Sequence, residues 1–360
     1  MAIRDETRML LESVGRLFED KCTKPVIDRA ETGVFAADLW HAISETGVPL
    51  AALPESAGGA DAEWSDLYAV LRLAGRYAAP IPLAETMLAG WIAAGAGLEL
   101  SDGPMSVGPV RSADSLTLRR DGNGWRLDGT ATRLPYARDA ARIVLLADGP
   151  DGAMAVSLQG TQCAELAQGR NMAGEPRDTL RFDSLRIEAD AAAPLPDGVS
   201  RDALYRRGAL ARATMMSGAL ERAMDLAVGY AQERQQFGRP ISKFQAVQQN
   251  LAVLAGQTAA AVAAANFGIE ALAKHDAGVE EFRIAVAKTR VGDAATLAGE
   301  LAHQVHGAIG FTKEYALQLA TRRLWSWREE FGSDPEWAAR LGRFMCARGA
   351  GQLWPSLTTL

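Results

Sequence analysis

Three observations predict an α+β organisation. Apolar residues recur at helical spacing in the first part of the chain, the period falls to two between about 105 and 190, and helical spacing returns from about 201 onward. The expected architecture is an N-terminal helical domain over 1–103, a middle β-barrel-like domain over 104–195, and a C-terminal four-helix bundle over 196–360.

In the first segment, Met9, Leu10, Val14, Leu17 and Phe18 form one helical stripe, a second short helix is expected over 36–45, and a third over 64–77. PESAGG at 54–59 and the prolines at 80 and 82 separate them. The run 83–100 is rich in alanine and leucine. Glu85 lies within it, and Gly90 and Gly95 suit a buried helix pair rather than a membrane span; no run reaches the roughly eighteen apolar residues a span needs.

In the middle segment Leu116 and Leu118 alternate with polar neighbours, DGNG at 121–124 is a tight turn, and Trp125 and Leu127 continue as the return strand of a hairpin. Further strands are expected at 142–147, 153–158 and 179–187. Helical patterns then occupy 204–234, 245–274, 280–306, 312–330 and 335–348, enough for an antiparallel bundle.

The chain has 360 residues, 48% hydrophobic and 23% charged, with formal net charge −6 and a pI near 5.4. That acidic balance argues against a nucleic-acid binder that relies on phosphate neutralisation, and an anionic ligand would need a local basic patch. Cys22, Cys163 and Cys346 are widely spaced and odd in number, which suggests neither a disulfide framework nor a CxxC metal site and points to a reducing compartment. The charged amino end does not read as a signal peptide, and a cytoplasmic location is expected.

The most informative stretch, YAQERQQFGRPISKFQ at 230–245, joins two long helical patterns, with Gly238 and Pro240 as punctuation. A plain turn needs little more, yet this one also presents Arg234, Gln236, Phe237 and Gln245. Arginine offers a planar fork to phosphate oxygens, phenylalanine a face to a base or ribose, and the amides can hydrogen-bond sugar or ring edges, so the set suits a dinucleotide. The plainer reading is a solvated turn with Arg234 paired to a surface carboxylate. A second stretch, HQVHGAIGFTKEY at 303–315, ends the third long helix of the bundle.

Together these stretches resemble the acyl-CoA dehydrogenase family, whose signatures read approximately YAxxRxQFGxPIxxFQ and QxxGGxGFxxEY; the visible departure in the second is Ala308 in place of glycine. Loops at 47–50, 54–59 and 79–85, the strand pair 124–135 and the strand 181–187 are similar to family segments too, so the resemblance covers the whole chain. It implies an oxidoreductase that desaturates an acyl-CoA thioester between its α and β carbons, with FAD as cofactor, an electron-transfer flavoprotein or other acceptor, and a bundle that forms the oligomer core. It also implies that Arg234 binds the FAD diphosphate, that Gln236, Phe237 and Gln245 contact the adenosine half, and that Gln304, Gly307 and Gly310 lie along the cofactor from a neighbouring subunit. On the residues alone, Gly307 and Gly310 are equally a helix C-cap and turn, and His303 and His306 read as helix-face residues with no metal.

Two departures matter. Laid without a gap, the family's YEGT-like segment puts Phe331 on the catalytic-base position, and the minority base position falls on Gly208, so both lack a carboxylate; Glu330 is the nearest candidate base. Nothing in 98–115 resembles the family's TEPxxGSD segment, which contacts the flavin ring. The pattern is similar to the shorter subunit of α2β2 enzymes that shorten steroid side chains, where one subunit carries the base and the other supplies the RxQFG arginine, and the segment 322–332 is similar to those subunits. The resemblance therefore implies a second subunit and a steroid side-chain or other bulky acyl-CoA. Open alternatives are a self-sufficient homo-oligomeric dehydrogenase using Glu330, a non-catalytic structural subunit, and a flavin monooxygenase of the same fold.

Overall fold

The computed structural model describes residues 4–160, 165–274, 276–352 and 354–355; Cys163 lies outside them. Helices α1 (Asp5–Lys21), α2 (Lys24–Glu31), α3 (Ala37–Ser44), α4 (Trp64–Arg76) and α5 (Leu83–Gly95) come first. The strands β1 (Met105–Gly108), β2 (Ser115–Asp121), β3 (Gly124–Pro135), β4 (Arg142–Gly149), β5 (Gly152–Gln159), β6 (Glu165–Ala167), β7 (Arg177–Ile187) and β8 (Ala192–Pro194) follow. Next come α6 (Arg201–Glu233), the short strands β9 (Gln235–Gln236) and β10 (Arg239–Pro240), α7 (Gln245–Ala271), α8 (Ala277–His306), α9 (Leu317–Trp327) and α10 (Asp334–Arg348). This is the α+β order read from the sequence. The chain divides into two compact units, one formed by Asp20–Leu67 and Pro80–Gly208, the other by Met1–Glu19, Tyr68–Ala79 and Ala209–Leu360.

In the first unit the sheet runs β6-β7-β3-β2-β4-β5-β8, with β1 parallel to β4. The predicted hairpin is there: Leu118 pairs with Leu127 and Asp121 with Gly124. Inward residues such as Leu116, Leu127, Leu134, Leu145, Val156 and Phe182 make the core of one face. On the other face Met105, Val107, Val144 and Leu146 pack against Leu88, Ala89, Ile92 and Ala93 of α5. Burial on that face explains why α5 is apolar nearly all round. It also corrects the expected helix pair: 83–95 is one helix, and its glycines make room for neighbours. A Cβ at Gly90 would lie 3.2 Å from Leu50 Cδ2, and one at Gly95 3.0 Å from Pro196 Cγ. Helix α2 was not anticipated, although Thr23 followed by Pro25 in its first turn is a start signal.

In the second unit α7, α8, α9 and α10 pack with the later part of α6. Asp276 caps α8, its Oδ1 accepting from the amides of Gly278 at 2.8 Å and Val279 at 3.1 Å. The helix expected from 312 begins only at Leu317, because α8 ends at His306 and Gly307–Phe311 form a 3₁₀ turn instead. One helical stretch, Gln245–Lys274, is long and apolar enough to cross a membrane by length and composition, and about a third of its most apolar part is buried within the chain.

Candidate functional site

The connector after α6 folds as a two-residue hairpin. Gln236 pairs with Arg239 and Gln235 with Pro240, and the Ile241 amide donates to the Arg234 carbonyl at 2.8 Å. Phe237 and Gly238 fill the two central positions with φ of +51° and +75°. Positive φ at both positions is the geometry of a type I′ turn, which suits glycine and costs a non-glycine residue about 1–3 kcal/mol. The strain presents Phe237 at the tip, 92% exposed, with its ring edge-on to Phe244 at 6.1 Å. Arg234, Gln236 and Gln245 are exposed as well, and the Arg234 side chain has no hydrogen-bond or ion-pair partner among the described residues.

The second stretch lies against the first. The Tyr230 ring, one turn before Arg234, stacks on His306 at 4.7 Å, and Tyr315 meets both rings, its centroid 6.0 Å from Tyr230 and 4.9 Å from His306. His306 Nδ1 is 2.7 Å from the Ala302 carbonyl and must donate, so its Nε2 accepts from the Tyr315 hydroxyl at 3.2 Å. His303 is sandwiched between Phe311, at 4.1 Å, and Trp325, at 5.8 Å, with Nε2 2.9 Å from Thr321 Oγ1. Burial holds both imidazoles below the ordinary histidine value; His306 pushes His303 down further, while carbonyl partners partly offset the shift of His306. Burial, Glu233 and Tyr230 raise the Tyr315 phenol.

Gln304 is exposed on the last turn of α8. Gly307 ends that helix with φ +64°, donating its amide to the His303 carbonyl, and a Cβ there would meet open space. Gly310 is different: a Cβ would lie 3.0 Å from His306 Cβ and 3.2 Å from His303 Nδ1. The two sequence stretches are thus brought to one end of the helical unit and joined through Tyr230, His306 and Tyr315. Among the described residues no group of three His, Cys, Asp or Glu side chains could hold a metal ion.

Glu330 lies elsewhere in the unit, just beyond α9. Its Oε2 accepts from Arg212 Nε at 2.7 Å, and the two side chains are 10% and 2% exposed. Next to it Phe331 is 3% exposed at φ +52°, its carbonyl accepting from Trp337 Nε1 at 2.8 Å, and the Arg212 guanidinium is 5.5 Å from its ring centre. Lys288, fully buried, donates to the carbonyls of Trp327 and Arg328 at 2.9 Å each, and so ties down the end of α9. Desolvation lowers its amine to about 8, against the pull of Asp334 and Glu330. Gly208, on which the expected minority base position falls, is buried within α6. Arg212 and Lys288 were missed in the sequence, although each puts a charge on an apolar helix stripe, at i+3 from Ala209 and i+4 from Ile284. A charge at such a position needs a buried partner.

A flavin dinucleotide fits the chemistry of the first cluster: an unpaired guanidinium for the diphosphate, an exposed aromatic face, two amide side chains, and a glycine backbone open to close approach. Comparison with known proteins gives the family. Residues 4–99 match the acyl-CoA dehydrogenase N-terminal domain, and residues 203–334 match the acyl-CoA dehydrogenase C-terminal domain. The chain is 28% identical over 344 residues to the acyl-CoA dehydrogenase IpdE2 of Mycolicibacterium smegmatis, covering 94% of this chain and 98% of the other. Its fold is that of a chain in the ChsE4-ChsE5 complex from Mycobacterium tuberculosis, with a TM-score of 0.85 and 22% identity, covering 97% and 99% of the two chains. The Tcur3481-Tcur3483 steroid ACAD G363A variant has a chain with a TM-score of 0.84 and 25% identity, covering 96% and 99%.

Proposed function

The chain belongs to the acyl-CoA dehydrogenase family, FAD-dependent oxidoreductases acting on CH–CH bonds, and from that premise we propose that it is the FAD-anchoring subunit of a heteromeric enzyme. In this reading it binds FAD through Arg234 across a subunit interface, and a second family member supplies the catalytic base. The substrate is a bulky acyl-CoA of the steroid side-chain kind, a choice supported by the likeness to the Tcur3481-Tcur3483 steroid ACAD variant.

The observation that carries the proposal is the contrast between two charged groups. Arg234 stands exposed and unpaired at the hairpin, while the nearest carboxylate to the base position, Glu330, is held by Arg212. An unpaired exposed guanidinium is available to a ligand anion. A buried carboxylate whose oxygen accepts from a guanidinium gives up that pairing if it takes a proton, which makes it a poor general base. Phe331, buried at the base position, offers no proton acceptor. Arg234 would hold the diphosphate, Phe237 and the amides of Gln236 and Gln245 the adenosine half, and Gln304, Gly307 and Gly310 a further length of the cofactor. Bound FAD would supply the hydride acceptor for α,β-desaturation. The proton from the α carbon would pass to a carboxylate of the second subunit.

The test is FAD content. The chain would be purified through an affinity tag from its native host, and in parallel after expression alone, with flavin quantified per chain. Flavin in the native assembly, little in the chain alone, and loss of flavin from the assembly on Arg234→Ala support the proposal. A yellow chain produced alone and bleached anaerobically by an acyl-CoA would favour the self-sufficient reading. Unchanged FAD in the Arg234→Ala assembly would remove the anchoring role.

A further inference from the structure

Arg234 does not stand alone on the hairpin. In an antiparallel ladder directly opposed residues share a face, and so do residues two apart on one strand. Gln236 pairs with Arg239, and the Ile241 amide bonds the Arg234 carbonyl one ladder step further on, so Arg234, Gln236, Arg239 and Ile241 lie on one face while Gln235 and Pro240 lie on the other. Two arginines therefore share a face with an amide between them, in the diagonal relation that places neighbouring residues roughly 7–8 Å apart and their Cβ atoms somewhat closer. Arg239 is held over the Phe244 ring, its guanidinium carbon 4.4 Å from the ring centre. Its N–H groups have no hydrogen-bond partner among the described residues, so the fork stays available to a ligand.

Among the described residues neither guanidinium has a carboxylate partner, and no acidic residue lies between 234 and 243. The nearest acid in sequence, Glu233, is exposed at the end of α6 and acts on the Tyr315 phenol. In a chain of net charge −6, this is a local concentration of positive charge whose members repel one another. Such an arrangement is satisfied by a ligand with two adjacent negative charges, not by an uncharged base or ring.

We infer that Arg239 is a second phosphate anchor, so that Arg234 and Arg239 grip the two phosphates of one dinucleotide diphosphate, with Phe244 as the platform that orients Arg239. The inference rests on the reading of this hairpin as an FAD site and adds to it a residue and a geometry.

The experiment uses the assembly purified from its native host through a tag on this chain. FAD dissociation constants are measured as a function of potassium chloride, together with the ability of inorganic pyrophosphate to compete with FAD for the flavin-free assembly. A lost hydrogen-bonded charge contact of this kind predicts that Arg239→Gln weakens FAD about tenfold, flattens the salt dependence and abolishes competition by pyrophosphate. Arg239→Lys retains charge but not the stacked fork and falls between, and Phe244→Leu reproduces part of the loss. Wild-type affinity, salt dependence and pyrophosphate competition in Arg239→Gln, with flavin still lost in Arg234→Ala, would overturn this inference and leave the single-anchor reading standing. Wild-type behaviour in both variants, or a native assembly without flavin, would overturn both.

Discussion

Arg212 and Glu330, 118 positions apart, form an ion pair of 2.7 Å with both side chains nearly excluded from water. The pair lies beside Phe331, the residue on which the expected base position falls. Removing one member leaves a buried, uncompensated charge, which costs about 3–5 kcal/mol, whereas replacing both with apolar groups is often neutral. Arg212→Met should therefore lower stability by several kcal/mol in chemical denaturation, and Arg212→Met with Glu330→Leu should recover most of it. A single variant as stable as the wild type would mean that Glu330 is free to serve as a base.

Lys288 adds a pH dependence. Its native value of about 8 lies below the ordinary 10.5, so between those values the unfolded chain binds the extra proton. The charged amine penalises the fold fully below pH 8, and stability gained from relieving that penalty rises with pH up to about 10.5. Lys288→Met lacks this response. The wild type minus Lys288→Met difference in unfolding free energy should rise between pH 8 and 10.5; a flat difference would show that the amine is not desolvated in solution.

The two imidazoles work in the acid direction. His303 and His306 have native values below 6.5, so below pH 6.5 the unfolded chain binds more protons and stability falls until both native values are passed. Because these rings support the turn carrying Gly307 and Gly310, acid should release flavin from the assembly before the protein unfolds. Fluorescence of released FAD, followed against circular dichroism from pH 7 to 5, checks this. Coincident transitions would count against a local role for the histidines.

Phe237 separates stability from binding. Its φ of +51° is strained for phenylalanine and well suited to asparagine. Phe237→Asn should therefore raise thermal stability, by about 1 kcal/mol or less, while weakening FAD by losing the exposed aromatic face. A variant that loses stability would place the ring in the packing of the hairpin and not at its ligand surface.

Much of this was legible from periodicity. Helical stripes located α1, α4 and α7, and alternation located β2 to β5 and β7, because burial of one face imposes those spacings. What escaped depended on residues distant in sequence. The run 83–100 suggests a buried helix pair, yet 83–95 is one helix whose Gly90 and Gly95 accommodate Leu50 and Pro196. The candidate cofactor residues were readable as a set, since hairpin chemistry and helix-end glycines are local. Their attachment to one another was not, because the Tyr230–His306 stack joins the ends of two separate helices. The state of Glu330 was hidden for the same reason: only the fold brings Arg212 to it.

Helix α7 has a further consequence. About a third of its most apolar stretch is buried within the chain, and the rest is exposed or half-buried, Val253 being 45% exposed. Apolar surface left partly in water favours association, so the native population should depend on concentration in a way that a self-contained domain's does not. The melting temperature would then rise with protein concentration. A chain made in excess of whatever covers α7 would be the form exposed to chaperones and proteases, and its abundance in the cell would be set by the supply of its partner.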